Sequence, residues 1–270
     1  RLLAAEGVFV SEGDRFRHSE ASRMLRTDHP QSMCSFARMF GLDTNWRIFE
    51  HLEHSLRTGT PATPKVLPDG FFARFAAHPE EARVFDEAMV AKAQAHIAAI
   101  VRSYDFSRFS TIGDIGGGQG HLLQGVLRSA PDARGVLFDL PHVVETRAGI
   151  ASERLRLQGG DFFKGALPAC DGYLIMEVIH DWPDEESVAI LRAIRRAAPK
   201  HAKVLMIESI VPPGPQPDWT KTLDIVMLVL VGGRQRTRDE YAALLEAAGL
   251  ALEREIDTGA GITILEAGVR

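Results

Sequence analysis

The chain has 270 residues, 45% of them apolar and 25% charged, with a net charge of −5. That length holds one large domain or a domain with a smaller lobe, and the composition is that of an ordinary globular protein. The acidic balance argues against a phosphate-backbone partner, the two cysteines (Cys34 and Cys170) against a disulfide framework, and the longest apolar run, Ile225 to Val231, is too short to cross a bilayer. No Cys/His cluster has metal-ligand spacing. These features predict a cytoplasmic protein without metal, nucleic-acid or membrane partners.

The chain opens on Arg1-Leu2-Leu3, and Leu2 to Ala5 reads as the end of a helix, so further sequence is expected upstream. Val8 to Val10 and Arg15 to His18 flank Glu12-Gly13-Asp14, the pattern of a hairpin. Helical patterns follow near 19–26, 31–40, 45–57, 69–76 and 79–102, split by Pro30, Gly41 and Thr60-Pro61. A helix followed by a small hairpin is the tail of a winged-helix unit, a type that often binds DNA. Between Arg1 and Arg57, however, eight arginines face eight acids with no lysine, a net of zero. That is no footprint for DNA, and the lobe reads better as a dimer interface.

From about residue 111, strand and helix patterns alternate. Strands are expected at 111–115, 134–139, 155–157, 172–178 and 203–209, and helices at 120–130, 142–150, 185–198 and 237–248. This alternation predicts a mostly parallel sheet covered by helices on both faces. Thr237 with Glu240 forms a capping box, and Gly249 ends that helix. Strands at 250–257 and 261–267, joined by Thr258-Gly259-Ala260-Gly261, read as a terminal antiparallel hairpin.

The first strand of this series runs into Gly116-Gly117-Gly118-Gln119-Gly120, and Asp139 follows 23 positions after Gly116. Glycines let a ligand lie on bare main chain, and a carboxylate ending the next strand can accept both hydroxyls of a ribose. The dinucleotide fingerprint needs a third glycine at the sixth position, where this chain has His121. Asp114, just before the turn, would repel a pyrophosphate but suits a cation. The pocket therefore favours S-adenosylmethionine over a nicotinamide dinucleotide. Asp161-Phe162, after Gly159-Gly160, stands where a carboxylate and a ring can hold an adenine; it reads nearly as well as a cap beside a core phenylalanine.

His180 ends an apolar run, and Pro183-Asp184-Glu185-Glu186 opens the next helix. A neutral imidazole there can take a proton from an acceptor hydroxyl. Glu208 ends the neighbouring strand, where its carboxylate can fix the imidazole tautomer. An ordinary strand-end acid bound to a backbone amide is the bland alternative.

The segments D-I-G-G-G-Q-G at 114–120, F-D-L-P-H-V at 138–143, G-G-D-F-F at 159–163, H-D-W-P-D-E at 180–185 and G-G-R-Q-R-T at 232–237 agree in order and spacing with one family. From about residue 30 onward the chain resembles the S-adenosylmethionine-dependent small-molecule O-methyltransferases of the caffeic acid and acetylserotonin type. The resemblance implies an α/β, Rossmann-like methyltransferase sheet over 101–270. It also implies an N-terminal, mostly helical, winged-helix-like dimerisation lobe over 1–100, exchanged between the subunits of a homodimer. It places the cofactor at Gly116, Asp139, Asp161 and Phe162, with His180 as general base flanked by Glu208 and residue 235; Asp114, Gly118, Leu140 and Met176 are further cofactor-side candidates. Met89, in F-D-E-A-M, matches a position near the substrate, and Trp182, Asp224 and Met227 are further acceptor-side candidates. The acceptor is expected between the sheet edge and the helices of 30–100.

Two residues depart from the family pattern. Gln235 stands where an acid is usual, and Met176 where a lysine is common. A neutral amide can still orient an imidazole but stabilises its cation less. Relatives that keep the pocket yet act as hydroxylases, decarboxylases or cyclases are therefore the alternative to methyl transfer onto an aromatic hydroxyl.

Overall fold

The structure, a computed structural model, describes residues 1–70, 74 and 77–270, apart from the Ala95 side chain. The chain divides into two compact units, one formed by Arg1–Glu53 and Ala62–Ala95, the other by His54–Pro61 and His96–Arg270.

In the first unit, α1 (Leu2–Ala5) leads to an antiparallel hairpin of β1 (Phe9–Glu12) and β2 (Arg15–His18). Gly13 turns the hairpin at φ +64°. Next come α2 (Glu20–Met24), whose Ser19 and Ser22 form a reciprocal cap, α3 (Cys34–Phe40) and α4 (Asp43–Phe49). Met39, Val84 and Ala88 form a small core, with Phe36, Phe40, Leu42, Phe85 and Met89 packed on it. Thr44 donates to Glu81 at 2.9 Å, and Arg74 pairs with the same carboxylate at 2.7 Å. The helix expected at 45–57 is two helices, α4 and α5 (Leu52–Thr58), and α6 (Thr63–Val66) precedes the long α7 (Pro79–Ser103). Part of the helix expected at 69–76 lies outside the described residues.

The second unit is built on a seven-stranded sheet. Its strands are β3 (Thr111–Ile115), β4 (Arg134–Asp139), β5 (Leu155–Gly159), β6 (Gly172–Met176), β7 (Lys203–Glu208), β8 (Leu250–Asp257) and β9 (Thr263–Val269). Their order is β5-β4-β3-β6-β7-β9-β8. Neighbours are parallel from β5 to β7, whereas β9 runs antiparallel to both β7 and β8. The predicted α/β class and its antiparallel C-terminal hairpin are therefore present. The strand order reverses direction between β3 and β6, and in such sheets ligands bind at that crevice, beyond the carboxyl ends.

Alternation along the strands separates two cores. Val136, Phe138, Tyr173, Ile175, Val204 and Met206 face one side, packed with α10 (Asp184–Ala197) and α12 (Arg238–Ala247). Ile112, Leu137, Leu174, Leu205 and Ile207 face the other, with α8 (His121–Ser129) and the end of α7.

Two of the expected elements need revision, and one stretch read without an element gains one. The strand expected at 172–178 stops at Met176, because Glu177 adopts φ +51°. The helix expected at 142–150 is α9 (Pro141–Glu145) and then a 3-10 turn, Ala148–Ile150; the Thr146 hydroxyl donates to the Val143 carbonyl where α9 ends. The apolar run at 225–231 belongs to a helix, α11 (Trp219–Leu230), whose cap Asp218 accepts from Thr220 N at 2.8 Å.

Leu174, fully buried in the central strand, tests the core. Leu174→Ala is expected to cost about 2–5 kcal/mol, read as a lower midpoint in urea unfolding.

Candidate active site

The loops at the carboxyl ends of β3 to β7 bring the candidate residues to one edge. After β3, the chain turns through Gly116, Gly118 and Gly120 at φ +69°, +52° and +73° into α8. A Cβ on Gly117 would lie 2.6 Å from the Asp114 carboxyl and would also strike Leu137, so the turn sits directly on that side chain. Gly118 is open: nothing lies within 4 Å of where its Cβ would stand. Asp139, ending β4, accepts from Gly118 N at 2.8 Å and from Leu140 N at 2.7 Å. The half-exposed Leu140 opens α9 beside it.

The structure corrects the reading of Asp114. Its carboxyl is 1% exposed, underneath the glycine turn rather than at the surface of a pocket. Burial first, then the neighbouring Asp139 charge, push its pKa up from the ordinary 3.8 to about 7. It therefore braces the turn from below with much of its charge suppressed.

Asp161, after β5, accepts from Phe163 N at 2.9 Å and pairs with Lys164 at 3.2 Å. Those donors hold its carboxyl below the usual range. Phe162 and Phe163 meet Trp182 edge-on, with ring centroids 5.9 and 4.9 Å away, which joins a cofactor-side candidate to an acceptor-side candidate. Met176, half-buried, is the last residue of β6.

His180 lies in a 3-10 turn, Ile179–Asp181, and is 6% exposed. Its Nδ1 is 2.8 Å from Oε2 of the fully buried Glu208. The other carboxylate oxygen, Oε1, accepts from the backbone N–H groups of Ile179 at 3.0 Å and His180 at 3.3 Å. One carboxylate thus orients the ring and holds the turn that carries it. Asp181 Oδ1 is 3.5 Å from Nε2 on the far side of the ring.

The loop after α11 closes over this turn. Arg234 N donates to the His180 carbonyl at 2.9 Å, and any side chain at Gly233 would collide with that carbonyl. Gln235 is 3% exposed; its backbone N–H donates to Asp224 at 2.9 Å, but neither amide atom of its side chain has a hydrogen-bond partner. The expectation that Gln235 orients the imidazole is therefore corrected: it makes no bond to the ring. Asp224 and the half-buried Met227 lie on α11, whereas Met89 belongs to the first unit's small core.

A family model for the O-methyltransferase domain matches residues 49–251. The chain belongs to the O-methyltransferase family. It is 41% identical over 274 residues to a phenazine O-methyltransferase, PhzM, from Lysobacter antibioticus, covering 99% of this chain and 80% of the relative. A mitomycin biosynthesis 6-O-methyltransferase from Streptomyces lavendulae is 36% identical, over 97% of this chain and 76% of the relative. The crystal structure of CalO1, a calicheamicin-biosynthesis methyltransferase with bound S-adenosylhomocysteine, superposes with a TM-score of 0.89 at 31% identity, over 100% of this chain and 82% of the other.

In this O-methyltransferase the sequence reading passed over Arg236, inside the G-G-R-Q-R-T segment it had singled out. Arg236 is 1% exposed and donates to the Ile179 and Trp182 carbonyls at 3.2 and 2.8 Å, and to Asp184 through two nitrogens at 3.0 and 2.7 Å. It stitches both flanks of the His180 turn to the start of α10. A basic residue in a charged stretch carries no sequence sign of burial. Asp181 was likewise missed, because its approach to Nε2 depends on the 3-10 turn.

Two outcomes follow. Arg236→Met is expected to cost on the order of 3 kcal/mol in urea unfolding, because several buried carbonyls lose their donor. For Asp114, the folded state holds its proton up to about pH 7 while the unfolded chain releases it near 3.8. Its contribution to stability is therefore full below the lower value, falls as pH rises between the two, and is gone above the upper one. Asp114→Asn should flatten that part of the melting temperature against pH and raise the melting temperature at pH 8.

Proposed function

We propose that this O-methyltransferase transfers a methyl group from S-adenosylmethionine to an aromatic or phenolic hydroxyl of a small molecule. The observation that carries the reading is the placing of an oriented His180 and an open glycine turn side by side at the strand-order reversal, after β6 and β3. The pocket residues suit such a donor: bare backbone at Gly118, the Asp139 carboxylate ending β4, and the Asp161–Phe162 pair after β5. The relatives, a phenazine and a mitomycin-pathway O-methyltransferase, support a ring-bearing acceptor of secondary metabolism.

Bound there, the donor supplies a methyl group already activated by its sulfonium. What the chain must do is align the acceptor and move one proton. With Glu208 accepting from Nδ1–H, the lone pair of His180 resides on Nε2. A free phenol has a pKa of about 10, so a base is needed at neutral pH, and Nε2 takes the proton as oxygen attacks. Glu208 on one side of the ring and Asp181 on the other stabilise the resulting imidazolium, and Asp181 does part of what an acid at position 235 would do. Trp182, Asp224 and Met227 are assigned to the acceptor, and Met89 is assigned to it on the resemblance alone. Among the described residues no group of three His, Cys, Asp or Glu is placed to hold a metal, and no helix is long and apolar enough to cross a membrane.

We further assign residues 1–100 to a winged-helix-like dimerisation lobe, 101–270 to the donor-binding domain, and the protein to the cytoplasm as a homodimer. Leu2, Leu3, Phe16, Leu25 and Trp46, all exposed in the first unit, support an interface there. Light scattering at twice the chain mass is the expected outcome.

The catalytic assignment is tested with labelled donor and a panel of phenols. His180→Ala should lower kcat about 10²- to 10⁴-fold. Glu208→Gln should lower kcat and move the acid limb of the kcat/KM profile to lower pH, since the imidazolium loses its carboxylate partner. Wild-type turnover in His180→Ala would remove the base. Donor binding without methylation of any phenol would favour the hydroxylase, decarboxylase or cyclase alternative.

A further inference from the structure

A second histidine–carboxylate pair stands at the same sheet edge, outside the site described above. Glu177 directly follows β6 and is the one residue other than glycine with positive φ among the described residues, at +51°. A side chain on that backbone costs free energy, and such strain persists where the surroundings impose it, often at ligand sites. The Glu177 N–H donates to the Ile207 carbonyl at 3.0 Å, which ties the strained residue to β7. Its Oε2 lies 3.7 Å from Nδ1 of His96, and both side chains are 14% exposed. His96 Nδ1 is buried and makes no hydrogen bond.

The pair is held beside the glycine turn from two directions. On α7, the next residue, Ile97, packs against Gly125 of α8, the helix that the turn starts. Along the chain, Val178 follows Glu177 and would touch a Cβ on Gly116 at 3.0 Å. The pairing of Asp114 with Leu174 brings the ends of β3 and β6 level.

Strand order then decides which part of a ligand arrives here. Asp161 follows β5, Asp139 follows β4, the glycine turn follows β3 and Glu177 follows β6, in spatial sequence across the sheet. A donor with its adenine at Asp161 and its ribose at Asp139 brings its non-nucleoside end to β6. That end is an amino acid with a primary ammonium, which carries three N–H donors. A carboxylate oxygen and an imidazole nitrogen 3.7 Å apart are too distant to bond each other but close enough to share one cationic donor.

We propose that Glu177 and His96 hold the ammonium group of the methyl donor's amino-acid end, an inference that rests on the donor reading above. Glu177 and His96 are then positioning residues: they fix the end of the donor opposite the adenine and leave the proton transfer to His180.

The test is calorimetry with two ligands, S-adenosylhomocysteine, which keeps the amino-acid end, and 5′-methylthioadenosine, which lacks it. Glu177→Gln should weaken S-adenosylhomocysteine about 10- to 100-fold, and His96→Leu about 3- to 10-fold, with 5′-methylthioadenosine unchanged in both. Glu177→Gly serves as the folding control. Glycine adopts φ +51° without strain, so this variant should melt at or above the wild-type temperature while losing the same affinity. Equal weakening of both ligands, or of neither, would overturn the assignment and leave the donor reading standing. Failure of the wild type to bind S-adenosylhomocysteine would overturn both.

Discussion

The buried carboxylate of Glu208 is the interaction on which the rest of the site depends. A charge with no solvent exposure is tolerated only when donors surround it. Here the donors are the His180 ring and two backbone N–H groups of the turn that carries it. The electrostatic need of the acid and the orientation of the imidazole are therefore met by the same three contacts. Arg236 completes the brace from the other side by binding the carbonyls of that turn, and Gly233 lets the intervening loop come close enough for Arg234 N to reach the His180 carbonyl. A histidine on a loop would ordinarily sample several rotamers; this one is held from its ring and from its backbone at once.

That brace has value only because of where the sheet puts it. Between β3 and β6 the chain reverses the direction in which it adds strands, the point at which open α/β sheets bind their ligands. The glycine turn and the His180 turn both follow strands packed on both faces by Val, Ile, Leu, Met, Phe and Tyr side chains, which makes the edge a rigid platform for loops that hold polar groups.

Two aspartates on that platform show how environment divides one residue type into two roles. Asp139 keeps its carboxylate among N–H donors at the end of β4. Asp114 is enclosed by the turn it supports, and desolvation together with the nearby Asp139 charge favours its protonated form near neutral pH. The acid that precedes the glycines therefore contributes less negative charge to this edge than its place in the sequence suggests.

Much of the catalytic unit was legible in the sequence. β4, β6 and β7 carry apolar runs separated by glycine, proline and charged segments, and such runs have few alternatives to a buried parallel sheet. The glycine turn, Asp139, His180 and Glu208 were readable because each ends or closely follows a strand, and strand ends in this architecture share one edge. The helix α11 was not legible: its apolar half gives no polar contrast from which to read a period, and its start depends on Asp218 folding back to Thr220. Arg236 and Gln235 were misjudged for a common reason. Burial of a polar side chain depends on what other segments bring to it, and here the turn at His180 and the start of α10 come from some fifty residues away. The sequence by itself determined most of the strands, the edge they share and the residue types gathered there, since these follow from local periodicity and spacing. The tertiary structure alone decided which acid is buried, which cation braces the His180 turn and where Glu177 meets His96, since these arise from contacts between segments far apart in the chain.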